Sequence, residues 1–209
     1  MRANKPYVIG LTGGTGSGKT ESAKYLESLG AARFDADEAS RAVTAPGGPA
    51  LGPIRAQFGD EVFFPDGTLN RKALGDIVFN SVPHRRALEA IIHPLVQRTM
   101  LERMDQAAEA GAKVVILDVP LLFETGMDAL CDETWVLYID REIQISRIMM
   151  RDGLTREQAE ARIGSAMSAE DRTARATRTI DTNQPMEKTR QILAQLYHQA
   201  EKAAEQSAG

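Results

Sequence analysis

Eight consecutive residues, Gly13-Gly14-Thr15-Gly16-Ser17-Gly18-Lys19-Thr20, satisfy every fixed position of the pattern G-x-x-x-x-G-K-[ST]. Glycines in such a run allow positive φ, so successive backbone N–H groups can turn inward and surround phosphate oxygens. Lys19 is placed to reach the β- and γ-phosphates of a nucleotide, and the Thr20 hydroxyl to serve as a ligand for Mg²⁺. The pattern needs a strand before it and a helix after it. Tyr7-Val8-Ile9-Gly10-Leu11 supplies an apolar run of buried-strand type. From Glu21 to Leu29, the residues Ala23, Leu26 and Leu29 share one helical face, and Gly30 stands as the C-terminal cap. The sequence therefore predicts a phosphate-binding loop backed by a helix dipole.

Carboxylates close the next strands. Ala31-Ala32-Arg33-Phe34 runs into Asp35-Ala36-Asp37, whose acids at i and i+2 lie on one side while the chain is extended. In an open α/β sheet ligands sit beyond the carboxyl ends of the strands, which suits Asp37 to serve as a base for a second substrate. An N-cap for a helix over 38–43 is the other reading of Asp37, and the residues alone leave both open. Lys113 to Asp118 is a third apolar strand ending in an acid, the arrangement of a carboxylate that holds Mg²⁺ directly or through water.

Arginines are the remaining candidates. Arg147 and Arg151 stand at i and i+4 on one predicted helix that Gly153 can end, and Thr155-Arg156-Glu157-Gln158 is a capping box for the next. Between Arg151 and Arg178 arginine recurs, while large apolar side chains reduce chiefly to Leu154, Ile163 and Met167. Little apolar surface means low local stability, which a mobile lid requires. Such a lid could bring guanidinium groups to a transferring phosphoryl group.

The elements that must hold these residues follow from periodicity. Residues 44–111 read as a helical insertion. A helix starts near Pro53 and ends near Gly59, Asn70 caps another through Phe79, and a third runs from about Pro83 to Ile92. His93-Pro94 predicts a break or kink before a long amphipathic helix to Gly111. The insertion, with Arg41 just before it, carries Arg55, Arg71, Lys72, Arg85 and Arg86, and one or two of these cations are expected to meet an anionic substrate. Thr134 to Asp140 is a fourth strand, Arg178 to Asp181 a short fifth, and Met186 to Ala204 a closing helix.

With 209 residues, one α/β domain with insertions fits better than two independent domains. A formal net charge of −4 argues against a sequence-independent grip on nucleic acid. Cys131 is the single cysteine, which excludes an intramolecular disulfide framework and suits a reducing cytoplasm. Met1 to Pro6 leads straight into a strand without a signal peptide's apolar region, and no run is long enough to span a bilayer. Residues from Gln199 to Gly209 are expected to fray. Nothing in the sequence sets the oligomeric state.

In several short motifs, taken in order, the chain resembles the dephospho-CoA kinases. The resemblance rests on Gly10-Leu11-Thr12-Gly13-Gly14 leading into the phosphate loop, Phe34-Asp35-Ala36-Asp37 with Arg41, and Asp66-Gly67-Thr68-Leu69-Asn70-Arg71. It continues in Ile92-His93-Pro94-Leu95, Val119-Pro120-Leu121-Leu122-Phe123-Glu124 and Arg151-Asp152-Gly153-Leu154. It implies a P-loop kinase fold with a five-stranded parallel sheet ordered 2-3-1-4-5, and ATP-dependent phosphorylation of the ribose 3′-hydroxyl of dephospho-CoA. It also implies three parts: a core (1–37, 112–146 and 179–209), a helical substrate-binding region (38–111) and a lid (147–178). By position, Asp37 matches the family's base, and Arg41, Arg71 and His93 fall where the family binds its acceptor. ATP and Mg²⁺ follow as co-substrate and metal, with Thr20 and Asp118 on the metal and Lys19, Arg147 and Arg151 on the phosphates. The chain departs from the pattern where Ile180-Asp181-Thr182-Asn183 sets an asparagine one residue late and where Gly52-Pro53 interrupts a helix. A nucleoside or nucleotide kinase of the same fold and a nucleotide-dependent switch protein are the alternative readings.

Overall fold

The computed structural model describes residues 5–164 and 167–207, so the expectations placed on Met1 to Asn4, on residues 208–209, and on Ser165 and Ala166 of the lid lie outside it. Five strands, β1 (Tyr7–Gly13), β2 (Ala32–Asp35), β3 (Val114–Asp118), β4 (Glu133–Tyr138) and β5 (Arg178–Asp181), form one sheet in the order β2-β3-β1-β4-β5. All neighbours are parallel, with Leu11 of β1 opposite Asp118 of β3 and Asp118 opposite Asp35 of β2. Parallel strands need helical crossovers that cover both faces, which is why β1 and β3 are buried along their length rather than at alternate residues. The order anticipated from the resemblance is the one observed.

The helices are α1 (Lys19–Ser28), α2 (Ala36–Val43), α3 (Leu51–Phe58), α4 (Arg71–Phe79), α5 (Val82–Glu109), α6 (Arg141–Asp152), α7 (Arg156–Gly164), α8 (Ala169–Ala174) and α9 (Met186–Ser207). The chain falls into two compact units, residues 36–103 and the remainder. In the larger unit, Ala23 and Leu26 of α1 and Leu193 and Tyr197 of α9 pack on Ile9, Ile116, Trp135 and Ile180 of the sheet. Cys131 lies against the backbone of β1: a Cβ added to Gly10 would come within 2.7 Å of its Sγ. Burial, with Asp128 and Asp132 adding to it, pushes the Cys131 thiol up to about 12.

In the helical unit, Asn70 caps α4 by accepting a hydrogen bond from the Ala73 N–H at 3.1 Å. Two readings are corrected here. The helix after β2 begins at Ala36, so Asp37 lies within its first turn rather than at its N-cap. The chain also neither stops nor restarts at His93-Pro94, because α5 is one helix of 28 residues with Pro94 inside it. Proline removes a single i→i−4 bond, and a buried stripe of Val96, Met100, Met104 and Ala107 holds the turns that follow.

At the β4–β5 side of the sheet, Glu133 accepts hydrogen bonds from the Trp135 indole (2.7 Å) and from Arg178 Nε and Nη2 (3.0 Å each). Burial alone would raise its carboxyl, but the Arg178 guanidinium and the indole outweigh burial and hold it below the usual carboxylate range. The stabilisation it contributes is therefore complete above that range and lost as the pH falls below it. Urea unfolding of Glu133→Gln should show a loss of about 1 kcal/mol at neutral pH. That deficit should shrink as the pH falls below the usual carboxylate range and the native carboxyl also takes up its proton.

Candidate functional site

The loop between β1 and α1 takes its shape from two glycines at positive φ, Gly16 at 85° and Gly18 at 82°. It tightens further through a Ser17 N–H bond to the Gly14 carbonyl at 3.0 Å. Gly13 has no space for a side chain, since a Cβ there would sit 2.5 Å from Ser17 Oγ and 3.0 Å from the Leu137 carbonyl. Helix α6 backs the loop. Gln144, almost fully buried, donates to the Thr15 carbonyl at 2.8 Å, and Arg147 donates to the carbonyls of Gly16 (3.2 Å) and Thr182 (2.9 Å). A planar trans peptide places the next N–H opposite its carbonyl, so tying Thr15 C=O to α6 turns the Gly16 N–H away from α6. The first turn of α1, with Lys19 and Thr20, adds the orphan amides of a helix N-terminus.

Beside this loop lies a cluster of charges built around one buried carboxylate. Asp118, 1% exposed, ends β3, and its Oδ1 is bound by Lys19 Nζ. Its Oδ2 accepts from Arg33 Nη2 at 2.7 Å and Nε at 3.1 Å, and Arg33 Nη2 also reaches Asp35 Oδ2 at 2.8 Å. Two carboxylates thus face two cations. Burial would lower the Arg33 guanidinium, but Asp118 and Asp35 outweigh it and raise it above its ordinary value. Register explains the meeting: Asp35 and Asp118 are paired across β2 and β3, and Arg33 shares a strand face with Asp35. A phosphate entering the loop could take Lys19 from Asp118 while Arg33 keeps that carboxylate neutralised.

The donor set for a metal is small. Among the described residues no group of three His, Cys, Asp or Glu side chains could hold an ion. Thr20 is exposed at the start of α1, and both oxygens of Asp118 carry cations. One hydroxyl and one carboxylate fit Mg²⁺, which keeps several waters and binds largely through substrate phosphates.

The other residues singled out in the sequence are placed as follows. Asp37 and Arg41 are exposed on α2, Arg71 of α4 donates to Thr44 Oγ1 at 2.7 Å, and His93 is half-buried on α5. All four belong to the helical unit. Arg147 supports the loop from behind, through carbonyls. Arg151 binds both oxygens of Asp152 at 2.8 Å, and Arg162 binds the same carboxylate. Asn183 is occupied in accepting a 2.8 Å bond from the Asp140 N–H. Sequence reasoning passed over Arg33 and Gln144, and counted Arg172 only as one of the arginines between Arg151 and Arg178. Only Arg33 carried a signal, its i, i+2 spacing from Asp35.

This arrangement can grip an anionic phosphate chain and neutralise it. Residues 7–188 match the family model described as dephospho-CoA kinase. A dephospho-CoA kinase of Symbiobacterium thermophilum is 44% identical over 183 residues, covering 88% of this chain and 77% of that protein. The solved dephospho-CoA kinase from Campylobacter jejuni superposes with a TM-score of 0.71 at 26% identity, covering 94% of this chain and 98% of that one. A shikimate kinase from Acinetobacter baumannii, 19% identical, shares the P-loop kinase fold with a TM-score of 0.53 over 92% of both chains. From the phosphate loop to the last strand, the chain belongs to the dephospho-CoA kinase family.

Proposed function

We infer that the protein transfers the γ-phosphoryl group of ATP to the ribose 3′-hydroxyl of dephospho-CoA, giving coenzyme A and ADP, the last step in making coenzyme A. The observation that carries this reading is the glycine loop backed by Gln144 and Arg147, with Lys19 poised on Asp118, in a chain of this family. Lys19 and the loop amides hold the β- and γ-phosphates, and the transition state gains most because charge spreads there over the equatorial oxygens. Asp37 orients the acceptor hydroxyl and takes its proton. Arg41, Arg71 and His93 of region 38–111 bind the acceptor, and region 147–178 serves as the lid, in which Arg147 holds the loop by its carbonyls and Arg151 is tied to Asp152 rather than directed to the phosphates. Thr20 and Asp118 would hold Mg²⁺, Asp118 through water because its oxygens are already bound. When present, the ion neutralises β/γ charge.

The partners are thus small molecules, and no helix among the described residues is long and apolar enough to cross a membrane. Incubation with ATP and dephospho-CoA should yield 3′-phosphorylated product, and a panel of nucleosides none. Phosphate release without a phosphorylated acceptor would instead indicate a switch-type hydrolase. Asp37→Asn should lose about 10²- to 10⁴-fold in kcat while keeping ATP affinity, because it removes a role played only in the transition state. Wild-type turnover in that variant would remove Asp37 from the chemistry. Lys19→Ala should weaken ATP binding and lower kcat by about 10²-fold or more, as read by calorimetry and a coupled assay.

A further inference from the structure

Arg172, on α8, is 5% exposed and stands apart from its neighbours in how its charge is met. Among the described residues of the arginine-rich segment, Arg151 and Arg162 are bound by Asp152, Arg156 by Glu142 and Glu160, Arg175 by Asp128 and Arg178 by Glu133. Arg147 spends its donors on two loop carbonyls. Arg172 makes no ion pair. Its Nη2 donates to the Met167 carbonyl at 2.9 Å, and its buried Nε has no acceptor. Desolvation pulls the guanidinium below its ordinary value, and Glu124 opposes this only through space. A buried cation with an orphaned donor is costly, and a guanidinium cannot escape by losing its proton.

Its position suggests what relieves the cost. A Cβ built on Gly14 would lie 3.6 Å from Arg172 Nη1 and 2.8 Å from Gln144 Nε2, so the guanidinium is beside the second residue of the phosphate loop. Gly14, Thr15, Gln144 and Arg172 together line a cavity of about 440 Å³ that continues along the end of β4 by Tyr138. The cavity is large enough for a phosphate group and its waters, and Arg172 belongs to its wall, with Nη1 the guanidinium nitrogen nearest Gly14.

We propose that Arg172 is the arginine of this segment that contacts the terminal phosphate of bound nucleotide, the planar fork supplying charge-assisted bonds that the ligand-free protein leaves unmade. Arg147 then acts from behind the loop, as a support for its carbonyls. The proposal rests on the kinase reading only in that nucleotide binds the loop; it does not depend on which alcohol accepts the phosphoryl group.

Calorimetric titration with ATP and with ADP, each with Mg²⁺, separates the two ideas. Arg172→Gln should weaken ATP by more than about tenfold and ADP by less than about threefold. Its ligand-free melting temperature should equal or exceed the wild-type value, because an uncompensated buried charge has gone. Arg172→Lys, keeping the charge without the fork, should fall between the two for ATP. Equal losses for both nucleotides, or none, would overturn the assignment and leave Arg172 as an anchor for the Met167 carbonyl. If Arg172→Gln does not fold, the ATP-to-ADP ratio of Arg172→Lys decides by the same criterion. A wild-type protein that binds ATP but leaves dephospho-CoA unmodified would sink the acceptor assignment and leave this one standing.

Discussion

A carboxylate at 1% exposure has to be neutralised, and Asp118 meets that demand with two cations from different elements. Lys19 comes from the first turn of α1 and Arg33 from β2, so one buried oxygen pair ties the phosphate loop to both strands on that side of the sheet. Breaking a buried pair by removing one partner is far costlier than the pair is worth against an apolar replacement. The arrangement therefore fixes geometry more than it adds stability. It also keeps the loop lysine oriented before any phosphate arrives, which lowers the reorganisation needed when one does.

The second constraint is the way α6 holds the loop by its carbonyls. Gln144 and Arg147 bond acceptors that a phosphate has no use for, and leave the donors. Helix α7 is attached to this same helix through a small cluster, Ile145, Ile148 and Ala159 with Leu154 and Ile163 at its edge. That cluster is separate from the sheet core, as the scarcity of apolar residues after Arg151 suggested. A segment held by so few side chains can open at low free-energy cost while α6 stays docked on the loop.

Much of this was legible in the residues. All five strands, the loop, the Asn70 cap and the Thr155–Gln158 capping box follow local rules of periodicity and turn chemistry, and the structure shows the last as reciprocal bonds of 2.9 and 3.3 Å. The failures have a common cause. Pro94 was read by its local effect, whereas a buried stripe in α5 decided the outcome. Gln144 looks like any helical glutamine until α6 is seen against Thr15. The arginines 151, 162 and 172 are one residue type in sequence, and only the folded chain shows two of them sharing Asp152 and the third unpaired. Pairing across long separations is not encoded in spacing.

The lone thiol has a bearing on the chemistry that surrounds it. Coenzyme A and its precursor both end in a sulfhydryl and pass readily into disulfides, which exchange with any protein thiolate they can reach. With its acidity shifted to about 12, Cys131 is ionised to the extent of roughly one part in 10⁵ at neutral pH, and its sulfur is wedged against Gly10. The protein's own thiol is therefore a poor partner for exchange with such disulfides.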